Sequence, residues 1–322
     1  MGDHEPVVLH VDALSSNGIN PGTPHYALWS PDGERVALIT DAGQGIVAFN
    51  LDAETGLNIR GFYDGAPVYI SWSADSEHML VHLSETLYLW SRDPETGKST
   101  NEKIGFGSIS YKAPQWNPVS DTYLYVDVVD GERRLLVGSL GELEPTLVRV
   151  LDDAAEFTWS PDGNRIALFT GHGEFFDRIE VLGPDGETAG PEIEGPILAA
   201  WWSPDGQKLL VAMGDAETEG IVVWSVVDLS SGQVEEAARS IPSGHLYLML
   251  TFHSQYAASH QLWSPDSQRF VVVGALLGDD GDVGREFTAS GTEISRVWIV
   301  DSSGDSPPAP VGDGLFAAWS PT

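Results

Sequence analysis

One pattern of apolar and polar positions returns along the whole chain. A short apolar segment ends in tryptophan, a Ser-Pro-Asp-Gly turn follows, and a second apolar run begins after one or two polar residues. It reads "ALWSPDGERVALIT" at 27–40, "FTWSPDGNRIALFT" at 157–170 and "AWWSPDGQKLLVAM" at 200–213. Both apolar runs have strand composition. Between them, Pro presets the backbone dihedral, Asp bonds back to the backbone and Gly accepts a positive φ. A third strand is predicted in "GIVAFNLD" (45–52), "TLYLWSRD" (86–93), "RRLLVGSL" (133–140), "DRIEVLGP" (177–184), "GIVVWSVVD" (220–228) and "SRVWIVDSS" (295–303). A fourth, more polar segment closes each unit, as expected of an outer edge that faces water. No stretch sustains a helical period, so the expectation is an all-β chain.

The turn tryptophans are Trp29, Trp72, Trp116, Trp159, Trp202, Trp263 and Trp319, at intervals of 43, 44, 43, 43, 61 and 56 residues. "SWSADSEHMLVHL", "PQWNPVSDTYLYV" and "QLWSPDSQRFVVVG" are variants of the same unit. A period near 43 matches a blade of four antiparallel strands. The pattern therefore predicts a single β-propeller domain over 1–322, with blades starting near 24, 67, 111, 154, 197, 257 and 315. Residues 1–23, containing "PVVLHVDAL", are expected to close the ring with the C-terminal "LFAAW". Seven turns favour seven blades; six is the alternative, because the last copy stops soon after Trp319. Each turn tryptophan is expected to pack on the neighbouring blade. Asp32, Asp162, Asp205 and Asp266 then belong to their own turns and are not ligands or catalytic acids.

These WSPDG copies resemble the WD-repeat-like propellers of the TolB type, and similar repeats form the propeller of prolyl-oligopeptidase-type enzymes. The resemblance covers residues 24–322. It implies a binding or scaffold module and favours a periplasmic or extracellular location, although the N-terminus shows no signal peptide pattern. Such repeats specify a fold much more closely than an activity.

Charge narrows the partners. Asp and Glu number 48 against 16 Lys and Arg, for a formal net charge of −32. Such a surface repels nucleic acid phosphate and anionic lipid, so neither partner is expected. A protein or peptide partner is. No apolar run is long enough to insert in a membrane. With no cysteine in the chain, disulfides, thiol nucleophiles and thiolate metal sites are excluded.

Candidate chemistry falls in four irregular segments of blades 4 to 6, all on the face opposite the SPDG turns. They are "TGHGEFFDR" (170–178), "MGDAETEG" (213–220), "IPSGHLYLMLTFHSQYAASHQ" (241–261) and "ALLGDDGDVGREFTASGTEIS" (275–295). The candidate ligand-binding residues are His172, Glu174, Asp177, His253, Gln255, Tyr256 and His260. The 241–261 segment either lines a pocket with these polar groups or is a blade junction whose aromatics fill the core. No cofactor is expected; the alternative is a divalent metal held by His172, Glu174 and Asp177 with His253 or His260. "GDDGDVG" lacks the acidic spacing of a calcium loop. No nucleophile elbow, zinc helix or phosphate loop is present. The sequence thus points to a non-catalytic module that presents these loops. A propeller hydrolase or lyase with an axial active site is the alternative.

Overall fold

The computed structural model describes residues 24–41, 46–52, 64–65, 68–106, 113–152, 154–171, 175–256, 259–278, 286–287 and 293–319. The chain forms two compact units, Met1–Asp152 and Asp153–Thr322.

The first unit holds three antiparallel four-stranded sheets, each in simple sequence order. They comprise β1 (Pro24–Trp29), β2 (Arg35–Asp41), β3 (Ile46–Asp52) and β4 (Asp64–Gly65); β5 (Val68–Trp72), β6 (His78–Leu83), β7 (Thr86–Arg92) and β8 (Ser99–Phe106); and β9 (Gln115–Trp116), β10 (Thr122–Val129), β11 (Glu132–Ser139) and β12 (Thr146–Leu151). Second strands such as β6 and β10 are buried through their centres, as strands covered on both faces must be.

The second unit continues the same plan with one change. It contains β13 (Ala154–Trp159), β14 (Ile166–Gly171), β15 (Phe176–Leu182), β16 (Thr188–Trp202), β17 (Lys208–Gly214), β18 (Val222–Asp228) and β19 (Val234–Pro242). Two helices follow, α1 (Gly244–Thr251) and α2 (His253–Tyr256). The strands resume with β20 (Arg269–Leu276), a small hairpin of β21 (Glu286–Phe287) and β22 (Glu293–Ile294), then β23 (Arg296–Asp301) and β24 (Ala309–Asp313). β16 is the outer strand of one repeat and the inner strand of the next: it pairs with β15 from Thr188 to Ile197 and with β17 from Ile197 to Trp202. The polar fourth strand is fully exposed in β24. Leu315–Trp319 forms no strand; the Trp319 N–H bonds the Gln261 carbonyl. The N-terminal "PVVLHVDAL" lies outside the described residues.

Five of the turns share one closed hydrogen-bond circuit. The Ser203 hydroxyl donates to Asp205 at 2.6 Å and accepts from the Lys208 N–H at 2.9 Å, while the Gln207 N–H donates to the same Asp205 carboxylate. Ser30/Asp32, Ser73/Asp75, Ser160/Asp162 and Ser264/Asp266 repeat it. Burial alone would raise the carboxyl of Asp32, but the Ser30 hydroxyl and the Glu34 N–H outweigh it and hold the group below its ordinary value. At Asp266 the Ser264 hydroxyl is the main cause of the same lowering. The turn aspartates are structural. Ser76 and Ser267 stand where the WSPDG copies carry glycine and keep its positive φ, at 63° and 58°. Each offsets that cost by accepting a hydrogen bond from the preceding turn: from the Asp32 N–H to Ser76 Oγ at 3.0 Å, and from the Asp205 N–H to Ser267 Oγ at 3.1 Å.

The tryptophans tie successive repeats together. The indole N–H of Trp72 donates to the Leu28 carbonyl, that of Trp202 to Thr158 and that of Trp263 to Trp201. In each case the acceptor is the residue just before the preceding turn tryptophan. A basic side chain from the preceding turn then covers the ring: Arg35 lies over Trp72, Arg165 over Trp202 and Arg269 over Trp319, at 5.3–5.9 Å from the ring centroid. His78 does the same for Trp116 at 6.1 Å. Burying each indole contributes about 2–3 kcal/mol, and the cation adds about 0.5–1 kcal/mol at partly exposed sites. Trp29 departs from the expectation. It is 56% exposed.

Candidate functional site

The helical segment corrects the all-strand reading of the chain locally. Ser243 caps α1: its Oγ accepts from the Leu246 N–H at 3.1 Å and donates to the Leu315 carbonyl at 2.7 Å. Leu246, Met249, Leu250 and His253 follow at the spacing of one helical face, and all four are buried. The three apolar side chains enter a core cluster with Trp201, Trp224, Trp263 and Phe270. The opposite face carries Tyr247, Leu248 and Phe252, exposed by 53%, 47% and 46%. With apolar residues on both faces, the sequence shows almost no contrast around the helix axis. That is why periodicity gave no helix here.

His253 fastens the segment to the inner strands. Its Nδ1 lies 3.1 Å from a Glu156 carboxylate oxygen on β13, and its Nε2 lies 2.8 Å from the Ala200 carbonyl on β16. A carbonyl only accepts, so Nε2 carries a proton and donates it there. The ring also meets Trp201 edge-on at 5.0 Å and Phe169 at 5.4 Å. Only 2% of His253 is exposed. Both ring nitrogens are committed, so the imidazole is a structural pin and offers no free lone pair to a substrate or metal.

The other candidates separate. His260 is half-buried between Tyr256 and Phe316, at 5.2 and 4.9 Å between ring centroids, and its Nδ1 meets the Ser259 hydroxyl at 2.6 Å. Burial pushes its pKa down, which favours the neutral ring, and raises the Tyr256 phenol. Gln255 sits in α2 beside His253 and is partly exposed, whereas Asp177 is exposed on β15. His172 and Glu174 lie outside the described residues, as does most of "GDDGDVG". Among the described residues, no three His, Asp or Glu side chains gather into a metal-binding group.

The described parts of the four irregular segments adjoin in pairs, Gly214 against Phe175 and Ile241 opposite Ala275. A side chain placed at Gly214 would meet the Phe175 ring at 3.2 Å. Arg239 pairs with Asp215 at 2.8 Å and with Glu236, and the Arg239 carbonyl accepts from the Leu277 N–H. A cavity of about 480 Å³ opens here, lined by Glu236–Arg239, Leu276–Gly278 and Pro308. Its one cation, Arg239, is already engaged by two carboxylates.

No protein-family model and no curated protein matches the sequence. Solved structures do. The chain is similar to an oligogalacturonate lyase from Vibrio parahaemolyticus, with a TM-score of 0.59 at 12% identity over 94% of this chain and 84% of that one. It is similar to the C-terminal WD40 domain of Sif2, with a TM-score of 0.54 at 15% identity over 97% and 74%. The fold is a WD-repeat-like β-propeller. The propeller also resembles TolB from Acinetobacter baumannii more loosely, at a TM-score of 0.47 and 16% identity over 90% of this chain. It spans 63% of the length of that TolB chain. No helix among the described residues of the propeller is long and apolar enough to cross a membrane.

Sequence reasoning missed the residues that most distinguish this region. The core-filling alternative for the aromatics of 241–261 does not hold for Tyr247 and Phe252, which are exposed, and nothing in a single sequence connects Glu156 to His253. The detectable signal was the Ser243 cap ahead of Leu246, Met249, Leu250 and His253, one buried face three to four residues apart.

Proposed function

We propose that this protein is a non-catalytic binding module that captures a protein or peptide partner on the outward face of α1. The observation that carries the reading is a helix apolar on both sides. Leu246, Met249 and Leu250 fill the core, while Tyr247, Leu248 and Phe252 project from the surface. Leu315, tied to the helix cap through Ser243, and Phe316, packed on His260, are also exposed, by 56% and 40%. A surface helix ordinarily turns polar residues outward, and grouped apolar side chains mark interaction sites. The His253 pin holds this face rigid, which lowers the ordering cost of binding.

A peptide-display selection against the wild type, counter-screened on Leu248→Asp/Phe252→Asp, tests the reading. Enriched peptides should bind the wild type and lose most of their affinity for the double variant. Peptides that bind both equally, or no enrichment at all, would remove α1 as the recognition element.

A further inference from the structure

Resting on that reading, we infer that the partner segment is cationic as well as apolar: a basic amphipathic polypeptide that sets its apolar side chains on Tyr247, Leu248 and Phe252. Two observations combine. The chain carries a net charge of −32, yet the run from Ser240 to Pro265 contains no Asp, Glu, Lys or Arg. An uncharged apolar island therefore sits in a strongly acidic molecule. The acidic surroundings attract a positive segment over distances of about a Debye length and repel a negative one. The outward side chains Tyr247, Leu248 and Phe252 carry no charge to desolvate when the partner docks, so the apolar contact forms without that cost. The arginines that flank this run in sequence are paired and do not reverse the net negative charge. Arg239 is held by Asp215 and Glu236, and Arg269 is spent on Asp266 and the Trp319 ring. Charge thus selects and steers the partner, and the helix face retains it.

The test uses the full chain and two synthetic helical peptides with the same leucine face, one with lysine and one with glutamate on the polar face. Binding is measured calorimetrically at about 0.05 and 0.3 M salt, which shortens the screening length. The Leu/Lys peptide should bind the wild type at least about tenfold more tightly than the Leu/Glu peptide at low salt, with the gap narrowing at high salt. It should also bind Leu248→Asp/Phe252→Asp at least about tenfold more weakly, the loss expected of a removed hot spot. That variant is more acidic than the wild type, so purely electrostatic adhesion would leave its affinity equal or higher. A Tyr247→Ser variant, which adds no charge, should weaken binding in the same direction. Equal binding of both peptides overturns the cationic partner while leaving the docking face intact. Unchanged binding to the variants overturns the docking face itself. Binding to zwitterionic vesicles but to neither peptide would make the surface a membrane contact and overturn both, as would no binding to any probe.

Discussion

His253→Ala should release the helical segment while the sheets of the second unit remain folded. The substitution removes the imidazole that links Glu156 on β13 to the Ala200 carbonyl on β16. Leaving a buried acceptor without its donor costs about 1–3 kcal/mol. Glu156 also loses its contact with the imidazole, and the two losses are not additive because they share one ring. The lost edge-on contact with Trp201 lies within the same range. A net local destabilisation of about 3 kcal/mol corresponds to roughly a hundredfold or more in an opening equilibrium, at about 1.4 kcal/mol per tenfold. Native-state hydrogen exchange reads this directly. The amides of Leu248, Met249 and Leu250 should exchange faster by about that factor, while those of β17 and β18 keep their wild-type protection. Glu156→Gln keeps a hydrogen-bonding group opposite Nδ1 and should change α1 exchange much less. Wild-type exchange in α1 of His253→Ala would refute the pin. So would equal acceleration throughout the unit.

Further outcomes follow from the turns and strands. Gly274 has φ +145°, and a Cβ there would overlap the Ile241 carbonyl oxygen, so Gly274→Ala should break the β19–β20 pairing and cost about 3 kcal/mol or more. Gly220, at φ +84° in open space, should cost only about 1 kcal/mol on the same change; thermal melting of the two variants compares them. Trp202→Phe loses the indole bond to Thr158 in a site only 4% exposed and should lower stability by about 1–2 kcal/mol. Trp29→Phe, at an exposed ring, should fall within about 0.5 kcal/mol of the wild type in chemical denaturation. The Ser230 hydroxyl and then the Ser231 backbone N–H hold the partly exposed Asp228 carboxyl down to about 2. Its stabilising contribution is therefore complete above the ordinary carboxylate pKa and is lost as pH falls toward 2. In Ser230→Ala/Ser231→Ala, carboxyl NMR should show the midpoint moved up toward 3.8, and an unmoved midpoint would refute the assignment.

The repeat was legible because its chemistry is local. Ser, Asp and Gly in one turn make bonds that need no distant partner, so the "WSPDG" text is enough to place strands on both sides. The bonds from Ser76 to the Asp32 N–H and from Trp263 to the Trp201 carbonyl cross between repeats. They follow once the repeats are aligned in register. The helical segment was hidden for the opposite reason. A helix of eight residues gives little room for a period, and apolar residues on its outer face removed the contrast on which a period depends. His253 looked like a free polar contact because its two partners lie on strands far away in sequence. Trp29 shares its motif with the buried tryptophans, yet its ring is exposed.

The most direct measurement of the central claim is a hydrogen-exchange footprint of the wild-type propeller with the Leu/Lys peptide bound. The account predicts added protection at 246–252 and 315–316, with the SPDG turns at 30–33, 160–163 and 203–206 unchanged. Protection centred on those turns, with 246–252 exchanging as in the free protein, would contradict it.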